Sequence, residues 1–180
     1  FSFSCNKESA QPKDLNAVTK TDQTGPSPSY GIGESLKPSA DSIASTWEAY
    51  MKVSEFLKTN SSLANEESLY NAKDLVKLTE ALKDSIHLAY LNNPAVKIRL
   101  NVLHNEALRL QDMADIKVIT NEEIALERQK IYDAFSAINY KLNNMSEQAK
   151  INEQLKDFID IEGVDTTRNL LQKDYSKEIT

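Results

Sequence analysis

The sequence predicts an all-α protein: an up-down antiparallel four-helix bundle with a long fourth helix, preceded by a disordered N-terminal tether. Three observations support this fold class. No glycine occurs between Gly33 and Gly163, and Pro94 is the only proline after Pro38. Apolar residues recur along the same stretch at spacings of three and four, the period of one helix face. Most of the glycines and prolines fall before residue 40, in a polar context that favours a mobile chain.

The same contrast divides the chain into three parts. Residues 1–40 are predicted to hold a signal-peptide remnant, a lipidation site and a flexible linker, residues 41–162 the helical bundle, and residues 163–180 a C-terminal tail. The chain has 180 residues, a length that suits one domain of ordinary size. A three-helix core with a loosely attached first helix is the alternative arrangement.

Helices one and two are predicted over residues 42–58 and 65–91. Asn65 is the expected N-cap of helix two. The short connection Asn92-Asn93-Pro94 then places helices two and three antiparallel. The expected core stripes are Ile43, Trp47, Tyr50, Val53 and Leu57 in helix one, and Ala72, Leu75, Thr79, Leu82, Ile86 and Ala89 in helix two.

Helix three is predicted over residues 94–115, with Asn93 as N-cap and Pro94 at the first helical position, where its missing N–H costs nothing. Its expected stripe is Val96, Leu100, Leu103, Ala107, Leu110 and Ala114.

Helix four begins with the most specific local signal in the sequence. Thr120 is the predicted N-cap, Glu123 closes a capping box, and Ile119 and Ile124 form a hydrophobic staple. The helix should be on the order of 55 Å long, with Gly163 as its stop, and its last turns should project or bend near residues 143–144. Its expected stripe is Ile124, Ile131, Phe135, Ile138, Leu142, Met145 and Ala149, extended by Leu155 and Phe158.

The first residues of the chain predict where the protein resides. Phe1-Ser2-Phe3-Ser4 precedes Cys5, the only cysteine, and resembles the end of a bacterial lipoprotein signal, which is cut just before a cysteine. Cys5 is therefore predicted to carry lipid, and several acyl chains hold a protein on a membrane durably. The polar residues that follow would separate the folded part from the bilayer. An arbitrary starting point with an incidental free cysteine is the alternative.

The charge of the chain argues against nucleic acid as a partner. The net charge is -6, and no part of the chain is basic. Nucleic acids and anionic lipid surfaces both select a cationic face, because binding releases the counterions of phosphate groups. No apolar run reaches the roughly 18 residues of a membrane span.

The sequence predicts no catalytic set, no metal and no cofactor. It contains neither a Gly-x-Ser-x-Gly turn nor a glycine-rich phosphate loop before a helix. His87 and His104 lie roughly 9 Å apart along the predicted hairpin, and neither belongs to a Glu-x-x-His motif of the kind di-iron bundles use. Both are interpreted as rim histidines beside the core stripes.

Aromatic residues are the candidate partner contacts. Trp47, Tyr50 and Phe56 of helix one cannot all face one core, and Tyr132 and Tyr140 lie off the stripe of helix four. Exposed aromatic side chains are typical of protein interfaces. Partial burial at the bundle rim is the alternative for all five residues.

The stretch NPAVKIRLNVLHNEALRLQDMADIKVITNEEI, residues 93–124, resembles uncharacterised small bacterial periplasmic lipoproteins with a helical-bundle domain. The likeness extends over about residues 70–145. It implies an all-helical fold and a place in the bacterial cell envelope, in the periplasm or at the outer membrane. A weaker likeness is to helical periplasmic domains associated with heavy-metal efflux, although this chain lacks their thiol, histidine and methionine clusters.

The leading functional hypothesis is a lipid-anchored cell-envelope protein that acts through contact with another envelope protein, as accessory subunit or scaffold, without catalysis. It follows from the predicted anchor, the long fourth helix and the missing catalytic set. The alternative is a small-ligand-binding or metal-binding periplasmic bundle or sensor, which rests on analogy between folds.

Overall fold

The computed structural model describes residues 29–86 and 91–162, with side chains described to residue 156. All regular secondary structure in these ranges is helical, which confirms the all-α class and a packing of helices consistent with a bundle. The helices are α1 (Pro38–Ala44), α2 (Glu48–Asn60), α3 (Asn65–Asp84), α4 (Pro94–Met113) and α5 (Asn121–Glu162). The predictions for Cys5, the linker of residues 6–28, the tail of residues 163–180 and His87 concern residues outside the described ranges.

The starts of α4 and α5 confirm the predicted caps. Asn93 precedes α4, and its side chain accepts a hydrogen bond from the Val96 N–H at 3.1 Å. At α5 the Glu123 N–H donates to Thr120 Oγ1 at 3.2 Å, and the Thr120 N–H donates to Glu123 Oε2 at 2.9 Å. This reciprocal pair is the predicted capping box, and it satisfies main-chain donors that have no partner within the helix.

Predicted helix one is two helices, α1 and α2, because the chain leaves the helical path at residues 45–47. Side-chain hydroxyls compete for the last carbonyls of α1: Ser45 donates to the Ser42 carbonyl and Thr46 to the Ile43 carbonyl. Neither glycine nor proline marks this break, and the apolar spacing continues across it. α1 also begins earlier than predicted, with Pro38 at its first position.

Predicted helix two ends earlier than residue 91, since α3 stops at Asp84. Its start differs in detail as well. Asn65 is the first helical residue and does not cap the helix, and the main-chain N–H of Ala64 donates to the Glu67 carboxylate instead. Asn65 is buried and bonds to other parts of the chain, as described below.

The described residues of the predicted stripes supply most of the core, and they meet where α3 packs on α4, α4 on α5, α2 on α3, and α1 on α5. Tyr30, Ala40, Leu91 and Tyr132 belong to the core as well, whereas the stripe residue Ala89 lies outside the described residues. Large side chains with almost no exposure fill it, among them Trp47, Leu82, Leu100, Leu103, Phe135 and Ile138. The stripes end before their predicted limits: Ala114 and Ala149 are exposed, and so is Leu155. Burial of this apolar surface is the main favourable term in folding.

Residues 29–37, which we call the strap, belong to the folded part and not to the linker. The strap is extended and lies along α5, and inward residues alternate with exposed ones from residue 30 to residue 36. Tyr30 is buried, and Ile32 and Leu36 pack against the core. The linker boundary predicted at residue 40 is therefore too late by about ten residues.

The C-terminal part of α5, residues 147–162, extends past the other helices as an overhang. α5 is one continuous helix through residues 143–144, and every described side chain from residue 147 to residue 156 is exposed. At 1.5 Å per residue the overhang is about 24 Å long. The prediction that the last turns project is confirmed.

Along the described part of the chain, no helix combines the length and the hydropathy that a crossing of the bilayer requires.

Candidate functional site

Four polar side chains of α5 hold the strap in place. Ser136, Asn139, Asn143 and Ser146 follow one another at spacings of three and four, so they line one face of the helix. We call them the polar ladder. These residues were not among the predicted site residues, because isolated serines and asparagines in a helix are ordinary surface residues.

The polar ladder bonds mainly to the main chain of the strap. The Gly33 N–H donates to Ser136 Oγ at 2.8 Å, and the Lys37 N–H donates to Asn143 Oδ1 at 2.8 Å. Asn139 Nδ2 donates to the Glu34 carbonyl at 2.7 Å. Extended main chain needs such partners when no neighbouring strand supplies them.

Asn143 also donates to the Ser35 carbonyl at 2.9 Å and to the Glu34 carboxylate at 2.8 Å. Ser146 is the last residue of the polar ladder, and its Oγ lies 3.0 Å from Ser39 Oγ at the start of α1. The strap therefore follows α5 over about ten residues, held by contacts that are largely independent of its own side chains.

The N-terminal end of the strap is fixed by a buried arginine of α5. The Arg128 guanidinium is 3% exposed and lies 4.1 Å from the centre of the Tyr30 ring. It donates to the main-chain carbonyls of Asn60 and Leu63 and to Asn65 Oδ1, each at 2.8 Å. Burial lowers the pKa of Arg128. The oxygen acceptors around the end of α2 stabilise the buried guanidinium cation and take the place of a carboxylate partner.

Asn65 joins these parts of the chain. Its Oδ1 accepts from the Tyr30 hydroxyl at 2.8 Å as well as from Arg128, and its Nδ2 donates to Asn121 Oδ1 at 2.8 Å. Asn65 was predicted to be a local N-cap, whereas its side-chain partners lie far away in the chain. Sequence spacing contains no signal for this network.

A cavity of about 480 Å³ lies between the strap and α2, open to solvent, and we call it the strap groove. This volume falls in the usual range for sites that receive a ligand or a peptide segment. One wall is the strap and the other is α2, while α5 forms the floor. The lining residues are Tyr30, Gly31, Ile32, Ser35, Leu36, Asp41, Tyr50, Met51, Ser54, Lys58, Ser61, Tyr132 and Asn139.

Polar groups lie at the floor and the rim of the strap groove. The Tyr50 hydroxyl donates to Asn139 Oδ1 at 2.7 Å, which couples α2 to the polar ladder. Burial, and to a smaller extent the charge of Asp41, raises the Tyr50 pKa far above its usual value, so this tyrosine stays neutral. Asp41 and Lys58 are exposed at the rim. The groove can thus bind groups non-covalently through apolar contact, neutral hydroxyls and two opposite charges.

Three of the five predicted contact residues are core residues. Trp47, Tyr50 and Tyr132 are at most 3% exposed, so their rings offer little free surface, although Tyr50 and Tyr132 also line the strap groove. Their polar atoms are satisfied inside: Trp47 Nε1 donates to Ser85 Oγ at 2.7 Å, and the Tyr132 hydroxyl donates to the Leu57 carbonyl at 2.6 Å. Aromatic residues with an internal polar partner are compatible with a core.

The other two candidates differ from one another. Phe56 is half-buried and packs against the core, so it offers little free surface. Tyr140 is 56% exposed on α5 and is the one candidate with a largely free ring. The structure does not bring Phe56 and Tyr140 together in one patch with the strap groove.

The described histidine occupies a rim position. His104 is half-buried, and its Nδ1 lies 3.0 Å from Thr79 Oγ1. Burial and the nearby Lys83 lower its pKa, so the imidazole is neutral at physiological pH. Within residues 29–86 and 91–162, no group of three or more histidine, cysteine, aspartate or glutamate side chains converges as a metal site requires.

A buried acid pair joins α4 to α5. Glu106 and Glu127 contact one another. One oxygen of each, Glu106 Oε2 and Glu127 Oε1, is buried and makes no conventional hydrogen bond within the described residues, and Glu106 Oε2 lies 3.5 Å from Arg109 Nη1. A hydrogen bond to Glu127, together with burial, raises the pKa of Glu106. One proton shared between the two carboxyl groups satisfies both oxygens. Lys130 Nζ lies 2.9 Å from the other oxygen of Glu127, Oε2.

The chain matches no known family model, no curated protein and no solved structure at a significant level.

A sequence signal for the strap does exist, although composition obscured it. Tyr30, Ile32 and Leu36 lie on one side of an extended chain, since apolar residues two apart share a face. The glycines and prolines of this region favour a linker, and they outweigh this short alternation in the composition.

Proposed function

We propose that the protein is a lipid-anchored, non-catalytic binding protein of the bacterial cell envelope. It acts as an accessory subunit or scaffold and receives an extended segment of another envelope protein in the strap groove. The observation that carries this proposal is the open cavity of about 480 Å³ between the strap and α2. Cavities of this size between an extended segment and a helix suit an additional extended chain.

The strap itself supports the proposal. The polar ladder of α5 already binds extended polypeptide through main-chain hydrogen bonds at Gly33, Glu34 and Lys37. A second extended segment would lie beside the strap. Gly31 and Ile32 line the groove, and no hydrogen bond of their main-chain groups occurs within the described part of the chain.

We further infer that the four long helices alternate in direction, as the sequence predicts for an up-down bundle. Two contacts between α4 and α5 support this arrangement: Asn93 bonds to Met145 at one end, and Glu106 meets Glu127 further along. Such a bundle is a rigid scaffold for the strap groove.

The groove proposal is tested by photo-crosslinking in native membranes. A photoreactive amino acid replaces Met51, which lines the groove and is 44% exposed. The matched control replaces Tyr70, which is 85% exposed on α3 and does not line the groove. We expect one reproducible protein adduct from position 51 and not from position 70. Adducts that are the same from both positions, or none from position 51, would count against the proposal.

The anchor is tested separately by metabolic labelling with a fatty acid. We expect the full-length precursor to incorporate label, and a Cys5→Ser variant to incorporate none and to leave the membrane fraction, because the thioether-linked lipid needs the cysteine sulfur. Equal labelling of both proteins would contradict the lipoprotein assignment.

A small-ligand-binding bundle is the second candidate, favoured by the volume of the same cavity. Native mass spectrometry of protein purified from its own envelope distinguishes the two. A stoichiometric bound molecule of low mass, with no protein adduct at position 51, would favour this second function.

A further inference from the structure

Beneath the strap, α5 presents a surface that binds extended polypeptide, and the strap itself occupies it. Ser136 and Asn143 accept hydrogen bonds from main-chain N–H groups, and Asn139 and Asn143 donate to main-chain carbonyls. Every residue except proline carries the same main-chain donor and acceptor. These bonds therefore select an extended conformation and not a particular sequence.

The inward side chains of the strap supply the sequence specificity. Positions 30, 32, 34 and 36 face inward, and the positions between them are exposed. Tyr30 stacks on Tyr132, with 5.6 Å between the ring centres. Ile32 and Leu36 pack against the core, and the Glu34 carboxylate accepts a hydrogen bond from the polar ladder at 2.8 Å. The surface thus fits a tyrosine, an isoleucine, a glutamate and a leucine at every second position.

The exposed positions of the strap tolerate other side chains. A methyl group added to Gly31 would meet no described atom within 4 Å, and one added to Gly33 would lie 3.6 Å from Ser136 Oγ, an ordinary van der Waals distance. Neither glycine has a φ in the left-handed region, so the backbone does not require glycine there. The pattern that the surface selects is therefore Tyr-x-Ile-x-Glu-x-Leu.

The strap is a shallow layer on the bundle. Within residues 29–37 only Tyr30 is buried, and the other residues are half-buried or exposed. The helices α2 to α5 pack against one another directly, so the strap is not part of the contacts that join them. Removal of the strap breaks its hydrogen bonds and its inward contacts, and a segment with the same pattern would restore both.

We propose that an extended segment of another polypeptide, with the pattern Tyr-x-Ile-x-Glu-x-Leu, takes the place of the strap on α5. The strap is an internal competitor that covers this site until such a segment displaces it. The site lies beneath the strap, whereas the strap groove lies beside it, so the inference goes beyond the proposed function and does not depend on it. Displacement of the strap removes one wall of the groove, and a segment bound beneath it therefore excludes one bound in the groove.

A labelled peptide with the strap sequence, Ser-Tyr-Gly-Ile-Gly-Glu-Ser-Leu-Lys, tests the inference on the full chain by fluorescence anisotropy. The strap competes at a high effective concentration because it belongs to the same chain. The variant Tyr30→Ala weakens the strap and leaves the residues of the site in place. We expect the peptide to bind this variant at least about tenfold more tightly than the wild type, since more molecules present an open site.

Two further variants control for an indirect effect of Tyr30→Ala on the fold. Leu36→Ala weakens the strap at its other end and should also increase the affinity for the peptide. Ser35→Ala changes an exposed strap position and should bind the peptide as weakly as the wild type does.

A second peptide tests the alternation. Ser-Tyr-Ile-Gly-Gly-Glu-Leu-Ser-Lys has the same composition and charge, but its isoleucine and leucine fall at exposed positions. We expect it to bind the Tyr30→Ala variant at least about tenfold more weakly, because two apolar contacts are lost. A third peptide, Ser-Tyr-Ala-Ile-Ala-Glu-Ser-Leu-Lys, should bind at least as tightly as the strap sequence, because alanine restricts the free peptide more than glycine does.

Hydrogen exchange locates the bound peptide. When the peptide saturates the Leu36→Ala variant, we expect the main-chain amides of Gly33 and Lys37 to exchange at least about tenfold faster, because they lose their acceptors on the polar ladder. Addition of Asn143→Ala to the Tyr30→Ala variant should weaken peptide binding about tenfold. Addition of Asn144→Ala, at an exposed position, should leave it unchanged.

Equal peptide affinity of the wild type and the two weakened-strap variants, equal affinity of the two peptides of the same composition, or unchanged exchange at Gly33 and Lys37 would overturn the inference. Slower exchange at these amides would place the peptide in the strap groove beside a bound strap. That result would overturn the inference and support the proposed function. Weakened-strap variants that dimerise and bind no peptide would overturn it as well, since a second copy would then fill the site.

Discussion

At the scale of single residues, the acid pair of Glu106 and Glu127 makes the contact between α4 and α5 sensitive to pH. Glu127 is 4% exposed and forms an ion pair with Lys130 at 2.9 Å. Glu106 makes a longer and weaker ion pair, in which its Oε2 lies 3.5 Å from Arg109 Nη1. The shared proton therefore belongs on Glu106, whose pKa is raised by its hydrogen bond to Glu127 and by burial. The folded state binds this proton more tightly than the unfolded chain does.

The sign of the pH dependence follows from that difference. Because the folded-state pKa of Glu106 lies above its ordinary value of 4.5, its stabilising contribution is fully present below pH 4.5 and is lost as the pH rises through the folded-state pKa. We expect Glu106→Gln, whose amide replaces the shared proton as donor, to raise the free energy of unfolding at pH 7 by about 1 kcal/mol. Urea denaturation at several pH values measures this gain, which should vanish at pH 4.

The control for this prediction is Glu153→Gln, which removes one carboxylate from the exposed overhang. A gain that is the same at pH 4 and pH 7, or one that the control reproduces, would show that no proton is shared between Glu106 and Glu127.

At the scale of elements, the strap is the part of the fold that depends most on a few side chains. Asn143 alone contacts its main chain at Ser35 and Lys37 and its side chain at Glu34. Asn143 is 1% exposed, so these bonds are shielded from water. Removal of the side chain leaves main-chain groups of the strap without partners.

We therefore expect Asn143→Ala to release the strap locally. We expect the free energy of local opening to fall by about 2 kcal/mol, so the main-chain amide of Lys37 should exchange roughly thirtyfold faster. Hydrogen exchange followed by mass spectrometry or NMR measures this rate. Amides in the middle of α4 serve as an internal reference and should keep their rates.

The neighbouring Asn144→Ala is the matched control, because Asn144 is exposed and bonds to no strap residue. Exchange at Lys37 that is unchanged by Asn143→Ala, or accelerated equally by both variants, would mean that the polar ladder does not hold the strap.

The elements differ in how well the sequence predicted them. The starts of α4 and α5 were predicted because Pro94 and the Thr120 capping box act locally. The break between α1 and α2 was not, since serine and threonine hydroxyls end a helix only where the fold already favours it. The strap groove was beyond prediction, because its walls are brought together by Arg128 and Asn65, whose partners are distant in the chain.

At the scale of the whole molecule, the bundle ends well before α5 does. Ile138 is 1% exposed inside the bundle, whereas Ile151 is 48% exposed on the overhang. The two residues have the same side chain in the same helix, and tertiary packing distinguishes them. The overhang should therefore contribute little to the stability of the fold.

We expect Ile138→Ala to lower the free energy of unfolding by about 3 kcal/mol, because it leaves a cavity in a packed core. Ile151→Ala should change the same quantity by less than about 0.5 kcal/mol, as is usual for exposed positions. Chemical denaturation of both variants measures the difference. A loss above about 1 kcal/mol for Ile151→Ala would indicate that the overhang packs against another part of the protein.

The contacts between the strap and the polar ladder also determine an order of events during protein synthesis. Gly33 and Lys37 leave the ribosome early, yet their partners Ser136 and Asn143 follow 103 and 106 residues later. A segment near the start of the chain is thus among the last to reach its final position, and until then the future groove has no second wall.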